Sequence, residues 1–292
     1  MTTEAVAADQ AVAELVGVLD LVEIDKDLFH GATTTRNSRG RAYGGQVAAQ
    51  ALMAAIRSAD AAFTVHSMHS YFLLPGDPSY PIVYEVERIR DGRSFETRRV
   101  RARQKGRDIY YLTANFQREE TGFEHQDAMP SVPPPEKCID FLKMMADSGS
   151  PEAVSLAREW EAVEVRAVGN SLLGIEPDPT RPAQQRLWIR LGAELPDDLD
   201  IQRGAFTWAS DISLLGASLA AHSLDHKGIQ MASLDHTIWF HRPFRADEWW
   251  LYDQESPSAY GGRGLSIGRV FTADGILAAT VAQEGLIRPP LG

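Results

Sequence analysis

Apolar residues are densest between Phe206 and Phe244, and their spacing predicts a buried helix followed by a strand. Residues 207–221 leave almost no polar face, and a helix that is apolar nearly all round is typically buried. Asp211 is the exception. In the predicted first turn its carboxylate would be favoured by the helix dipole and the free N–H groups there. Residues 229–241 then follow the alternation of a strand.

The same order of elements is predicted a second time, nearer the N-terminus. A buried, Ala-rich helix at 47–56 is followed by strands, and short motifs recur at an offset of roughly 170 residues, such as His69-Ser-Tyr-Phe and His236-Thr-Ile-Trp. Asp-Gly and Lys-Gly pairs between the runs are typical of hairpin turns. The predicted strands are 63–74, 82–90, 94–104 and 108–117 in the first half, and 229–241, 248–256, 264–272 and 276–287 in the second.

The two copies are separated by a Pro-rich stretch, Met129–Pro135, and by helical patterns near 136–147 and 151–161. A short helix at 9–20 and a strand at 21–29 precede the first copy. We therefore predict an N-terminal domain at 1–120, a crossover linker at 121–180 and a C-terminal domain at 181–292. A long buried helix wrapped by an antiparallel sheet, present twice, is an α+β double hotdog fold, and we expect the two sheets to join.

Charge and composition exclude several classes of protein. A net charge of −11 over 292 residues argues against nucleic acid as a partner. Cys138 is the one cysteine, so the chain has no intrachain disulfide and no cysteine-based zinc site. The N-terminus lacks the pattern of a secretion signal, and no apolar run is long enough to span a membrane. We expect a soluble cytoplasmic protein with no membrane insertion.

Several residues are candidates for chemistry. Asp211 is either a general base that activates water or an ordinary first-turn acid. Gly44 and Gly45 open the helix at 47–56, where they either let a ligand approach the backbone N–H groups or serve close packing. The histidines lack the spacing of a metal site, so we expect structural histidines and no metal; they are His66, His69, His236 and His241.

Seven ordered motifs, spread over residues 17–288, resemble the acyl-CoA thioesterase II family. The resemblance implies the double hotdog fold and hydrolysis of fatty acyl-CoA to a free fatty acid and CoA. It also implies a homodimer or homotetramer and no cofactor, since coenzyme A is part of the substrate. The motifs are Arg41-Ala-Tyr-Gly-Gly-Gln46, His66-Ser-Met-His-Ser-Tyr-Phe-Leu-Leu-Pro-Gly-Asp77, Arg90-Asp-Gly-Arg-Ser-Phe95, Gly122-Phe-Glu-His-Gln126, Ala209-Ser-Asp211, Leu234-Asp-His-Thr-Ile-Trp-Phe-His-Arg-Pro-Phe244 and Gln283-Glu-Gly285.

The resemblance also implies roles for individual residues. In similar enzymes the Asp of the Ser-Asp pair activates the attacking water, which assigns that role to Asp211. A Thr and a Gln hold the water beside it; here these positions are Ser233 and Gln283. Serine keeps the hydroxyl of threonine and can make the same hydrogen bonds. For substrate contact we expect Gly44, Gly45, Gln46 and His69.

Three alternatives stay open at this point. Arg99, Arg101 and Arg103 share one strand face, which is either a solvated face or a site for the phosphates of coenzyme A or a subunit contact. A hotdog enoyl-CoA hydratase would need a His about five residues after its Asp, where Gly216 stands. A non-catalytic acyl-CoA-binding module would bind the same ligand without turnover.

Overall fold

The computed structural model describes residues 3–32, 40–169, 183–222 and 228–289. Its helices are α1 (Thr3–Leu19), α2 (Gly44–Ser58), α3 (Phe141–Asp147), α4 (Pro151–Glu159) and α5 (Leu199–Ser210), with 3-10 helices at Pro135–Lys137 and Leu214–Leu219. Its strands are β1 (Val22–Asp25), β2 (Leu28–Gly31), β3 (Phe63–Phe72), β4 (Ile82–Asp91), β5 (Phe95–Gln104), β6 (Arg107–Arg118), β7 (Ile139–Asp140), β8 (Val163–Ala167), β9 (Gln184–Leu191), β10 (Gln230–Ser233), β11 (Asp235–Phe240), β12 (Trp250–Tyr260), β13 (Arg263–Thr272) and β14 (Leu277–Arg288).

One antiparallel sheet runs through both halves of the described chain. Its order is β1-β2-β4-β5-β6-β3-β11-β14-β13-β12-β9-β8-β7, and β10 pairs with β14. The halves meet where β3 pairs with β11, from Tyr71 opposite Asp235 to Ser67 opposite Trp239. Outward from this join, each half repeats one order of strands, since β6-β5-β4-β2-β1 corresponds to β14-β13-β12-β9-β8. The predicted repeat and the predicted joining of the sheets are therefore confirmed.

Helices α2 and α5 pack against each other in opposite directions. At one end, a Cβ added to Gly45 would overlap the carbonyl oxygen of Trp208. Farther along, a Cβ added to Gly204 would lie 3.0 Å from the sulfur of Met53. Glycine at these crossings lets the two backbones approach closely. As a result, the N-terminus of α2 meets the C-terminus of α5.

The helix predicted at 207–221 is wrong in its limits. Helix α5 begins after Asp198, whose carboxylate accepts hydrogen bonds from the N–H groups of Asp200 and Ile201, and it ends at Ser210. A separate 3-10 helix, Leu214–Leu219, follows. Asp211 therefore lies at the C-terminal end of a helix and not in a first turn. The apolar pattern missed the polar first turn of α5 and Gly204, which resembles a helix breaker but serves close packing.

Other predicted elements are divided in the structure. The strand at 229–241 breaks at Leu234, whose N–H donates to Glu284 O (2.9 Å) and whose carbonyl accepts from Phe72 N (2.9 Å). The strand predicted at 21–29 is divided into β1 and β2, which are joined by a turn that includes Asp27. The helix at 136–147 forms a 3-10 turn, β7 and α3.

The predicted crossover linker also contributes to the sheet. Strands β7 and β8 lie within it, and β8 pairs with β9 of the C-terminal half. The predicted limits of the linker stay a prediction, because residues 180 and 181 lie outside the described residues.

The contact at Gly45 yields a stability prediction. Gly45→Ala forces a methyl group against the Trp208 carbonyl, so we expect the free energy of unfolding to fall by about 1–3 kcal/mol. Gly17→Ala in α1 is the control, because no atom lies within 4 Å of the added Cβ. The control should be neutral or stabilising by up to about 1 kcal/mol. Chemical denaturation measures both, and equal stability of the two variants would contradict the close packing.

Candidate active site

A cavity of about 440 Å³ lies where the two halves meet. Its wall includes the N-terminus of α2, the turn after α5 and strand β10, and the end of α4 closes part of it. Most of the lining side chains are apolar, and the polar ones include Asp211, Ser213 and Ser233. Both halves and the crossover therefore contribute to one site.

Asp211 is half-buried at the edge of this cavity and touches both halves. Its Oδ1 accepts a hydrogen bond from Gln283 Nε2 at 2.7 Å. Its Oδ2 lies close to Gly44: a Cβ added to this glycine would be only 2.8 Å from that oxygen. The first turn of α2 contains no acidic residue and its N-cap, Tyr43, makes no capping side-chain bond. The positive end of α2 thus offsets the unfavourable end of α5 for this carboxylate.

Gln283 lies on β14 and is fully buried. Its amide nitrogen donates a hydrogen bond to Asp211, whereas its Oε1 has no hydrogen-bond partner among the described residues. Leaving a buried acceptor unpaired costs about 1–3 kcal/mol. Gln283 therefore keeps one buried acceptor unpaired beside its bond to Asp211.

Ser233 reaches the same place through strand pairing. It stands opposite Gly285 in the β10–β14 ladder, and opposite residues in an antiparallel pair share a face. Gln283 is two positions farther along β14 on that face, a diagonal separation of about 7–8 Å. Gly285 adds no side chain there, and Leu215 fills its space. Asp211 and Ser233 thus line the cavity, and Gln283 lies next to it, hydrogen-bonded to Asp211.

The four expected substrate contacts do not all lie at the cavity. Gly44 lines it, but Gly45 packs on Trp208, and the amide of Gln46 donates to the carbonyl of Ala32 at 3.1 Å. His69 is exposed on the outer face of β3, where its ring lies 5.4 Å from that of Trp239. Strand alternation directs His69 away from the cavity, so its expected substrate contact stays a prediction that this position does not favour.

Comparisons with known proteins agree with this geometry. A model for the acyl-CoA thioesterase N-terminal domain matches residues 33–117, and one for acyl-CoA thioesterase matches residues 173–286. Acyl-CoA thioesterase 2 of Haemophilus influenzae is 40% identical over 94% of this chain and 96% of its own length. The chain belongs to the acyl-CoA thioesterase II family.

Two further comparisons support the same assignment. Human acyl-coenzyme A thioesterase 8 is 39% identical over 93% of this thioesterase and 88% of its own length. The crystal structure of an acyl-CoA thioesterase II from Mycobacterium marinum has a TM-score of 0.81 and 42% identity, and it covers 96% of this chain and 98% of its own. A hotdog protein from Alicyclobacillus acidocaldarius, at 21% identity and a TM-score of 0.77 over 95% and 98% of the two chains, supports the fold alone.

Two further buried residues lie near Asp211, His236 and Tyr110. His236 Nε2 lies 2.9 Å from Ser210 Oγ, which itself donates to the carbonyl of Thr207. His236 must therefore donate through Nε2. Burial lowers the pKa of His236 to about 4, so the ring is neutral at physiological pH. Tyr110 is also buried, and its burial together with the charge of Asp211 raises the pKa of its hydroxyl.

The remaining arginine and histidine candidates lie on the outer surface of the sheet. Arg99, Arg101 and Arg103 form ion pairs with acidic side chains on the sheet surface, as expected for a solvated face; the partners include Glu87, Glu85 and Asp108. A bulge in β3 turns His66 to the outer face, the same face as His69, where it lies 3.2 Å from Asn115 Oδ1. Within the described residues, no cluster of metal-ligating side chains and no helix able to cross a membrane occurs.

The buried His236 predicts a pH dependence of stability. Its folded-state pKa of about 4 lies below the unfolded value near 6.5. The unfolded chain therefore takes up a proton between these values, and stability falls as the pH drops. We expect a loss of roughly 2 kcal/mol at pH 5 relative to pH 7 from this residue.

His236→Gln keeps an amide donor for Ser210 but cannot titrate. Urea denaturation at both pH values should give a smaller loss for this variant than for the parent, because the other histidines contribute equally to both. The same loss in parent and variant would contradict the buried, neutral state of His236.

Proposed function

We propose that this thioesterase hydrolyses fatty acyl-CoA to a free fatty acid and CoA, with Asp211 as the general base. The observation that carries the proposal is the bond from Gln283 Nε2 to Asp211 Oδ1, because it holds the carboxylate at the edge of the cavity next to Gln283 Oε1, a buried acceptor with no partner among the described residues. A water molecule beside this bond would donate one hydrogen to the Asp211 carboxylate and the other to Gln283 Oε1. Ser233 would donate to the oxygen of that water.

The reaction follows from this orientation. The water oxygen attacks the thioester carbonyl carbon while Asp211 takes one of its protons, which is the usual action of a positioned general base. Charge develops on the carbonyl oxygen of the tetrahedral intermediate. The N–H groups at the start of α2, beside Gly44, are suited to stabilise that charge. When the carbon–sulfur bond breaks, Asp211 returns the proton to the departing CoA sulfur.

The shape of the cavity supports an acyl substrate. Its apolar wall suits an alkyl chain, because ligand sites are mostly apolar with a few placed polar groups. The wall includes Leu74, Ile109, Leu156, Trp160, Leu215 and Met231. The proposed chemistry requires only acid–base groups, so we expect no cofactor or metal. The expected homodimer or homotetramer and the expected cytoplasmic location stay predictions.

The role of Asp211 as the base can be tested by substitution. Asp211→Asn keeps the size and the oxygen that accepts from Gln283, but it removes the group that takes the proton. We expect kcat to fall about 10²–10⁴-fold while acyl-CoA binding persists. Release of free thiol, measured from butyryl-CoA to stearoyl-CoA, gives kcat. Activity within a few-fold of the parent would remove Asp211 from this role, and binding without turnover in the parent would identify a binding module.

The second prediction concerns the groups that hold the water. Ser233→Ala and Gln283→Ala should each lower kcat/KM by the equivalent of about 1–3 kcal/mol, the cost of an unmade buried hydrogen bond. Ser233→Thr should be tolerated because it keeps the hydroxyl. Since both groups orient one water, the losses should be non-additive in a double-mutant cycle. Fully additive losses would mean that Ser233 and Gln283 act separately.

A further inference from the structure

The turn that carries Asp211 has an unusual backbone. Ser213 adopts φ 66° and ψ −14°, the left-handed region, which a residue with a Cβ adopts only where its surroundings hold it there. Two other non-glycine residues with positive φ in the described chain, Asp27 and Lys105, lie in hairpin turns. Ser213 instead follows a buried helix and lines the cavity.

Strand β12 holds both ends of this turn. At one end, Tyr252 Oη donates to the carbonyl of Ser210 at 2.9 Å. At the other, Gln254 Nε2 donates to Ser213 Oγ at 3.2 Å. Tyr252 and Gln254 are two positions apart on one strand and therefore share the inner face. Both side chains are fully buried, and only the acceptor Ser213 is partly exposed, towards the cavity.

The packing beneath β12 restricts the side-chain positions of Tyr252 and Gln254. Gly268 stands opposite Gln254 on β13. A Cβ there would overlap the ring of Tyr252, so the ring occupies the space of the missing side chain. Gln283, one strand beyond β13, reaches Asp211. Strand β12 thus holds Ser210 and Ser213, on either side of Asp211, while β14 holds the Asp211 carboxylate.

We infer that Ser213 and Gln254 are positioning residues for the reaction, because their hydrogen bond holds the left-handed turn that directs Asp211 towards Gln283 and the cavity. The inference rests on the proposed role of Asp211 as the base. If the bond is lost, Ser213 relaxes towards φ below zero, the segment 211–213 rotates and the carboxylate leaves Gln283. A misplacement of about 1 Å in an active site costs on the order of 10²-fold in rate.

Substitutions at 213 separate the turn conformation from the hydrogen bond. Asparagine tolerates the left-handed region and offers an amide to Gln254. Glycine adopts the conformation freely but has no side chain to hold. Alanine has neither property. We therefore expect activity to decrease in the order Ser213→Asn, Ser213→Gly, Ser213→Ala.

The experiment measures kcat, KM and thermal stability of these variants and of Gln254→Met, which keeps the buried volume. We expect Gln254→Met and Ser213→Ala to lower kcat by about 10–100-fold with KM within about twofold. Ser213→Asn should stay within a few-fold of the parent. Gln202→Met is the matched control, because Gln202 is buried and hydrogen-bonded to Ala246 N and Pro196 O at the far end of α5. It should lose thermal stability and keep kcat.

Two outcomes would overturn the inference. One is a Gln254→Met variant that loses stability as Gln202→Met does and keeps the parent kcat. The other is a Ser213→Asn variant as slow as Ser213→Ala. Combining Gln254→Met with Asp211→Asn tests whether Gln254 acts on the rate through Asp211. If it does, the double variant should be no slower than Asp211→Asn alone. If Asp211→Asn itself keeps full activity, the proposed function fails, whatever the variants at 213 do.

Discussion

The close antiparallel contact between α2 and α5 is the constraint on which the site depends. Glycine at positions 45 and 204 lets the two helices approach until backbone and side-chain atoms touch. The same contact brings Gly44, at the positive end of α2, against the carboxylate of Asp211, at the negative end of α5. A charge that its own helix disfavours is thereby stabilised by the other helix. Because each helix belongs to a different half, neither half contains the site alone.

The repeat is symmetric in its strands but not in its chemistry. A Gly-Arg pair occurs in each half, Gly92-Arg93 and Gly262-Arg263, and Arg98 follows the first pair at the same distance as Gly268 follows the second. Arg98 is fully buried; it donates to the carbonyl of Ser58, the last residue of α2, and to Glu96. Gly268 instead leaves room for Tyr252, which supports the turn before Asp211. The helix of one copy thus ends at a buried ion pair, while the helix of the other ends beside a carboxylate that lines the cavity.

Sequence patterns predicted the repeated strands well because alternation with a period of two is direct evidence of a half-buried sheet. They failed around α5, since Gly204 and the charged first turn interrupt the apolar pattern although both belong to the helix. Strands β8 and β9 were not predicted, because they lie within and just after the segment interpreted as a linker, outside the repeated pattern. For His69, the motif indicated importance, whereas alternation along β3 decides that it faces outwards.

The site itself was only partly readable. Residue types alone left Asp211 as either a base or a helix acid, and the family resemblance assigned roles to Ser233 and Gln283. In the structure Asp211 and Ser233 line one cavity, and Gln283 is hydrogen-bonded to Asp211. Ser213 and Gln254 had no sequence signal, because a left-handed serine and a buried glutamine look like ordinary polar residues until the turn and the strand beneath it are known.

The most direct test of the account is a single turnover of a long-chain acyl-CoA in water enriched in oxygen-18, with mass spectrometry of both the product and the protein. If Asp211 activates water for direct attack on the thioester, the heavy oxygen enters the fatty acid in the first turnover, and the peptide that contains Asp211 stays unlabelled and unacylated. An unlabelled fatty acid with the heavy oxygen in Asp211, or an acyl group trapped on that side chain, would contradict the account and make Asp211 a nucleophile.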